Sequence, residues 1–370
     1  MVLSNVIGQK RIKNLLLVSW KRERLAHAYL FHGLQGVGKD AMGVAMAMGL
    51  NCERKGFEAC GQCPTCKRIL NLEHNGFHLI LPVPTRTSRI KQEKYFEILR
   101  ERALLRMDNP YREITYTPEL TVTPTIGIDQ IRDLKKQVML KISGGGFRTI
   151  LISHADRMTV AASNSLLKLL EEPPPKTVII LTTSFPGNLL STIVSRCQSI
   201  RFNPLSQEEI EEALIQKFST PKERAKFSAR ICGGSLNQAL QYSDESWNEI
   251  RQGALSFLET ILSSDRSAYI ESMNTLAGIK EKETVIHILQ MLLLWMRDLS
   301  FIQLGQSESL MNVDLVGQLR RFHHKWPYFN IYQGMRSVER AIDFIGKNVY
   351  LSLVIYSLGF ELKCCGASEI

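Results

Sequence analysis

A glycine-rich segment near the N-terminus has the spacing of a phosphate-binding loop. Gly33, Gly38 and Lys39 complete the pattern G-x-x-x-x-G-K, and Gly36 lies between them. Such glycines let backbone N–H groups point at phosphate oxygens, and the lysine neutralises phosphate charge. The next residue is ordinarily Ser or Thr, whose hydroxyl binds the magnesium ion of a nucleotide, but here it is Asp40. The sequence predicts a phosphate loop and leaves open whether ATP and Mg²⁺ bind it, since the added carboxylate repels phosphate yet can itself bind magnesium.

The acidic pair that nucleotide hydrolysis needs is missing from its expected place. In hydrolytic phosphate-loop sites, carboxylates at the end of a neighbouring strand order the magnesium ion and activate water. The strand "TILIS" ends here in Ser153-His154. His154 could act as a base, but Asp40 and Ser153 depart from the pattern together. We therefore expect a site that is not selected for hydrolysis.

Four cysteines follow the loop with the spacing C-x7-C-x2-C-x2-C. They are Cys52, Cys60, Cys63 and Cys66. Four thiolates this close in the chain suit a tetrahedral zinc ion, and filling all four positions leaves no open one for catalysis. The sequence predicts a structural zinc site. Free core cysteines and a redox C-x-x-C pair are the alternatives, and the additional cysteines disfavour the redox pair.

Arg196 lies between Ser195 and Cys197 in "TIVSRCQSIRF". The pattern places it at the end of a helix and before a strand. An arginine exposed at such an edge can reach into a neighbouring subunit and contact a γ-phosphate there. Taken alone this indication is weak, because a lone arginine is usually a surface charge.

The elements around these residues alternate between strand and helix patterns. "AHAYLFHG" predicts a strand before the loop, and "KDAMGVAMAMGLNC" predicts the helix after it. Two further buried strands are predicted at Arg148–Ala155 and Thr177–Ser184, and the helix between them is stopped by three prolines. This alternation predicts a parallel sheet with helices on both faces.

From Ser206 onward the sequence shows helical patterns only, beginning with the capping box "SQEE". The predicted fold class is therefore α/β plus all-α. The predicted domains are a phosphate-loop domain over 1–205 with a zinc module at about 52–66, a helical lid over 206–245, and a C-terminal helical domain over 246–370.

Residues 83–124 form an insertion in the first domain that is hard to place. "SRIKQEKYFEILRERALLRM" is highly charged and could form an exposed helix. We interpret it as a solvated insertion in a surface loop, because charge runs usually face solvent. A nucleic-acid or partner contact is the alternative.

Composition bounds the partners and the location. The net charge is +10 and the pI is about 9.2, which favours acidic partners such as nucleic acid. The start has no signal-peptide pattern. The longest apolar run, Val285 to Met296, is shorter than the ~20 residues of a membrane span. We expect a cytoplasmic protein with no membrane partner and with reduced cysteines.

Several segments together resemble the bacterial DNA polymerase III clamp-loader family of the AAA+ class. They are "HAYLFHGLQGVGKD", the four-cysteine cluster, "SNSLLKLLEEPPPKTVIILTTS", "LLSTIVSRCQSIRF" and "GGSLNQAL". The resemblance covers residues 1 to about 245. The departures at Asp40, Ser153-His154 and Gln238, with Arg196 retained, resemble the delta-prime branch more than the ATP-hydrolysing gamma/tau branch.

The resemblance implies a role in replication. It implies a hetero-pentamer with gamma/tau-like ATPase subunits and a delta-like subunit, closed by a helical collar, that places a sliding clamp on primed DNA. Arg196 would act in trans as an arginine finger, and the chain, part of the DNA polymerase III holoenzyme, would not be catalytic alone. The resemblance also places Gly8-Gln9 near an adenine pocket. The alternatives are an ATP-hydrolysing gamma/tau-like motor subunit and a zinc-dependent DNA-binding module unrelated to clamp loading.

Overall fold

The structure is a computed structural model, and its described part falls into two compact units, Met1–Leu240 and Gln241–Ile370. The predicted boundaries after residues 205 and 245 stay predictions. The described residues are 2–54, 56–84, 92–113, 124–139, 146–279, 282–306, 310–312, 315–347 and 349–366.

A parallel five-stranded sheet forms the centre of the first unit, with the strand order β2-β3-β4-β1-β5. The strands β1, β3 and β4 are almost wholly buried, as expected of parallel strands covered on both faces. The parallel sheet predicted from the alternating pattern is confirmed. The strands are β1 Ala28–His32, β2 Phe77–Ile80, β3 Arg148–Ile152, β4 Thr177–Thr183 and β5 Gln198–Arg201.

Helices cover this sheet, and their ends follow local sequence signals. The Thr159 hydroxyl accepts a hydrogen bond from the Ala162 N–H at the start of α6. Ser206 and Glu209 exchange the two hydrogen bonds of the predicted capping box at the start of α8. The helices are α1 Lys10–Lys21, α2 Lys39–Asn51, α3 Pro64–Leu70, α4 Gln92–Asp108, α5 Ile128–Val138, α6 Val160–Glu171, α7 Ser191–Val194, α8 Gln207–Phe218, α9 Lys222–Ile231 and α10 Leu236–Tyr242.

The second unit is helical throughout its described residues. Its central helix, α13, packs against α11, α14 and α15, and the buried Trp295 indole donates to the Arg251 carbonyl oxygen. The helical segment Thr284–Gln303 is long and apolar enough to cross a membrane by length and hydropathy alone. The buried core helix of a soluble protein meets the same two criteria. The helices are α11 Glu245–Leu262, α12 Arg266–Ala277, α13 Lys282–Gln303, α14 Val316–Lys325, α15 Ile331–Gly346 and α16 Leu351–Gly366.

The insertion contains the helix α4, and the interpretation of it as a solvated loop is wrong at one end. Most of the early side chains, such as Glu93 and Glu97, are exposed as expected. The C-terminal end and the residues after it are buried instead, including Arg106 and Tyr111. The charged pattern hid this because a few buried residues at one helix end leave no periodic signal in so polar a segment.

Gly33 packs closely against the backbone of Phe202, the residue that follows β5. Gly33 has φ +146°, and a Cβ atom built on it would lie 2.4 Å from the carbonyl oxygen of Phe202. Gly33→Ala should lower the free energy of unfolding by about 1–3 kcal/mol, because backbone atoms must move to admit the methyl group. Urea denaturation followed by circular dichroism measures this change.

The matched control is Gly187→Ala, because a Cβ atom at Gly187 would meet nothing within 4 Å. That variant should unfold at the urea concentration of the wild type. Equal losses in the two variants would contradict a steric role for Gly33.

Candidate functional site

The loop between β1 and α2 brings together the five residues predicted for the phosphate site. Gly36 and Gly38 have φ values of +75° and +96°, which glycine adopts without steric cost. Gly38 caps α2, so that Lys39 and Asp40 form its first turn. The loop therefore lies at the carboxyl ends of the parallel strands, where ligands bind in open α/β sheets. The nucleotide-binding role of these residues stays a prediction.

Lys39 is bound by its own loop. Its ammonium group donates to the carbonyl oxygens of Gly33 at 2.8 Å and Leu34 at 2.6 Å, and to the Ser184 hydroxyl at 3.2 Å. Burial lowers the pKa of Lys39 to about 8. The charge that would meet a phosphate is thus already satisfied within the chain.

Asp40 is buried and both its carboxylate oxygens accept hydrogen bonds. The hydroxyls of Ser153 and Thr182 each donate to it at 2.6 Å. Arg106 forms an ion pair with it, with 3.4 Å between Nη1 and Oδ2. Burial alone would raise the pKa of Asp40, but Arg106, His154 and the two hydroxyls outweigh it and hold the pKa below its usual value. Donors therefore surround the carboxylate where a magnesium ion would need free oxygens.

Arg106 and Tyr111 come from the insertion and cover the loop. Arg106 is 4% exposed and also donates to the Pro110 carbonyl oxygen at 3.1 Å. The Tyr111 ring packs on Gly38, where a Cβ atom would lie 3.1 Å from it, and its hydroxyl accepts from the Ile7 N–H at 2.7 Å. Burial raises the pKa of Tyr111 above its ordinary value.

The start of α10 closes the site from another side. The Ser235 hydroxyl donates to the Gln35 carbonyl oxygen at 2.7 Å, and the Glu113 N–H donates to the Asn237 side chain at 2.9 Å. Gln238, which stands where the gamma/tau branch is expected to carry arginine, is exposed.

Arg196 lies at the other end of the sheet from the phosphate loop. It precedes β5, whose residue Gln198 pairs with Tyr29 early in β1, whereas the loop follows the end of β1. Its side chain is 36% exposed. The guanidinium pairs with Glu171 at 2.7 Å and donates to the Thr192 carbonyl oxygen at 3.0 Å. The arginine is therefore partly exposed and lies at the end of the sheet away from the chain's own loop. Its trans-acting role stays a prediction.

The four predicted cysteines come together in the segment after α2. The sulfur atoms of Cys52, Cys60, Cys63 and Cys66 all lie within 4.8 Å of one another. Backbone N–H groups of Cys60, Cys63 and Cys66 donate to the sulfur atoms of Cys52, Cys60 and Cys63. The N–H groups of Gln62 and Cys63 lower the pKa of Cys60 to about 6, whereas burial raises the pKa of Cys66. The cluster can hold a metal ion, and a tetrahedral ion with bonds of about 2.3 Å would draw the sulfurs slightly closer.

Several residues that complete the phosphate-loop site were not predicted from the sequence. Thr182 and Ser184 did carry a signal, since polar residues at the carboxyl end of a buried strand point to the ligand edge of a sheet. Arg106 and Tyr111 carried none, because they lie in a segment whose composition indicates solvent. Asn237 lies in the recognised motif "GGSLNQAL", but its contact with the insertion is visible only in the fold.

The bond from Thr182 to Asp40 can be tested with a shape-conserving change. Thr182→Val should lower the free energy of unfolding by about 1.5–3 kcal/mol, because a hydrogen bond to a buried charge is lost. Urea denaturation at neutral pH measures the loss.

Thr177→Val on the same strand is the matched control. The Thr177 hydroxyl is buried, and it neither donates nor accepts a hydrogen bond among the described residues. That variant should be as stable as the wild type or more so. The role assigned to Thr182 is wrong if the two variants behave alike.

A family profile and a curated relative indicate the same family. The profile of the family described as "DNA polymerase III, delta subunit" matches residues 8–206. The DNA polymerase III subunit delta' of Bacillus subtilis (strain 168) is 31% identical over 318 residues, which make up 85% of this chain and 83% of that protein.

Two more distant similarities were also found. The DNA polymerase III subunit tau of Escherichia coli (strain K12) is 26% identical over 250 residues, or 66% of this chain and 32% of tau. A crystal structure of a gamma subunit-related protein from Thermotoga maritima has 18% identity and a TM-score of 0.34, covering 82% of this chain and 99% of its own.

The family match extends over more than half of the chain, and it contains the phosphate loop, the cysteine cluster and Arg196. The similarity to the delta' subunit also extends over most of both proteins. The chain therefore belongs to the DNA polymerase III delta-subunit family and is a clamp-loader subunit.

Proposed function

We propose that this chain is a delta'-like subunit that supports ATP-dependent loading of the sliding clamp onto primed DNA while hydrolysing little or no ATP itself. The observation that carries the proposal is the hydrogen bonding of Asp40. Hydrolysis requires a cation between the β- and γ-phosphate oxygens. Here the hydroxyls of Ser153 and Thr182 donate to the carboxylate that stands in place of the magnesium-binding hydroxyl.

Arg196 is proposed as an arginine finger for the ATP site of a neighbouring subunit. It lies just before the start of β5, at the end of the sheet opposite the chain's own loop. Its partner Glu171 is 48% exposed, and an ion pair this exposed contributes only about 0–1 kcal/mol. The guanidinium can therefore leave Glu171 for a γ-phosphate at small energetic cost.

The partners follow from the family and remain part of the proposal. They are gamma/tau-like ATPase subunits and a delta-like subunit in a hetero-pentamer, the sliding clamp, and primed DNA, in the cytoplasm. The helical residues 246–370 are proposed to form the collar, and residues 206–245 the lid. The alternative is an ATP-hydrolysing gamma/tau-like motor subunit. It is disfavoured because this chain has Asp40 at the position after Lys39, where a hydroxyl ordinarily binds the magnesium ion.

The cysteine cluster is proposed to bind zinc as a structural ion. All four sulfur atoms face one another, so a bound ion would have no open coordination position. Backbone N–H groups stabilise the thiolate forms that metal binding requires.

Replacing Arg196 tests the trans-acting role. Arg196→Ala should leave folding intact and reduce the ATPase rate of the reconstituted complex by up to about 10³-fold, because the guanidinium that would stabilise the negative charge of the transition state on a neighbour's ATP is lost. The measurement is steady-state phosphate release with clamp and primed DNA present.

Arg201→Ala is the control, because Arg201 is exposed at the opposite end of the same strand. It should leave the rate unchanged. An unchanged rate in Arg196→Ala would remove the proposed role, and ATP turnover by the isolated chain that Lys39→Ala abolishes would favour the motor subunit.

The zinc proposal predicts about one zinc ion per chain in the purified protein. Cys66→Ser should lose that zinc and lower the thermal midpoint, since metal binding contributes directly to folding. Elemental analysis and a chromogenic chelator measure the ion. Cys364→Ser, at an exposed cysteine outside the cluster, should keep it; a metal-free wild-type chain would contradict the proposal.

A further inference from the structure

The buried end of the insertion lies inside the phosphate-loop site. We infer that the segment from α4 to Glu113 is a built-in occupant of this site: Arg106 stands in for the bound cation, and Tyr111 closes the loop against nucleotide. This inference goes beyond the proposed function and does not depend on Arg196.

The first support is the charge of the pair. Asp40 and Arg106 are 6% and 4% exposed, and each would be costly to bury alone. Their charges compensate each other at 3.4 Å. The loop therefore replaces the usual hydroxyl and metal ion by a carboxylate and a guanidinium, and both belong to the chain.

The second support is the space that remains. The cavity among the loop, Arg106, Pro110 and Tyr111 has a volume of about 30 Å³, whereas pockets for small ligands measure about 300–1,000 Å³. The Tyr111 ring covers Gly38, one of the glycines that would face a phosphate. A diphosphate bound at Gly38 would therefore meet the Tyr111 ring unless the segment moves.

The third support is the way the segment is fastened. The Tyr111 hydroxyl accepts a hydrogen bond from the N–H of Ile7, near the N-terminus. The Glu113 N–H donates to the side-chain oxygen of Asn237 on α10. The Glu113 carboxylate also lies 3.9 Å from the guanidinium of Arg157. Contacts on several sides thus hold the segment in place without a ligand.

The two ends of the insertion lie side by side in the fold. Val83 and Thr125 form an antiparallel pair, with N–H to carbonyl distances of 2.9 and 3.0 Å in the two directions. A two-residue Asn-Gly turn suits the connection of such a pair. Residues 84–124 can therefore be excised from the full chain and replaced by Asn-Gly.

The experiment titrates the chain with fluorescent methylanthraniloyl-ADP and Mg²⁺. The wild type should not bind at millimolar concentration, and neither should Asp40→Thr in the intact chain. The excised chain carrying Asp40→Thr should bind at least about 10²-fold more tightly than the wild type. Adding Lys39→Ala to the excised chain should abolish binding, which assigns it to the loop.

Either of two results would overturn the inference. One is micromolar binding by the wild type that Lys39→Ala removes. The other is an excised Asp40→Thr chain that folds, as judged by circular dichroism and a cooperative melt, yet does not bind.

If the excised chain does not fold, the Asp40–Arg106 pair is tested in the intact chain by thermal unfolding. Arg106→Met should lower the thermal midpoint, and adding Asp40→Asn should restore most of the loss, because the buried carboxylate that Arg106 compensated is then removed as well. A midpoint for Arg106→Met equal to that of the wild type would reject the inference.

Discussion

The compensation of one buried carboxylate, Asp40, is the constraint on which the phosphate-loop region depends. A carboxylate inside a protein must be hydrogen-bonded and balanced by positive charge, or it destabilises the fold. Ser153 at the end of β3, Thr182 on β4 and Arg106 on α4 meet this need together. One residue on α2 thereby ties two strands and the insertion to the loop, in a place where related proteins are expected to bind a metal ion.

The parallel sheet separates the two ends at which chemistry is expected. Strands that run in one direction place the phosphate loop after the end of β1 and place Arg196 before the start of β5. An arginine at that end serves an adjacent molecule more readily than its own loop. The proposed division of labour, a closed loop within the chain and a guanidinium available to a neighbour, is thus a consequence of strand direction.

Patterns confined to neighbouring residues were predictable. The strands and helices around the loop, the capping box at Ser206 and the grouping of four cysteines all follow from spacings within a few residues, because periodicity, caps and chelating loops are local in the chain. The burial of Arg106 and Tyr111 was not predictable. They lie in a polar segment, and their partners Asp40, Gly38 and Ile7 are far away in the sequence.

The sequence by itself determined which chemical groups this protein has and which it has lost: a phosphate loop ending in Asp40, no acidic pair after "TILIS", four grouped cysteines and Arg196. Only the tertiary structure decided which groups bind Asp40, where the C-terminal part of the insertion lies in the fold, and which end of the sheet carries Arg196. The physical reason is that residue types and short spacings are local properties of the sequence. The compensation of a buried charge depends instead on which distant segments the fold brings within a few ångströms of it.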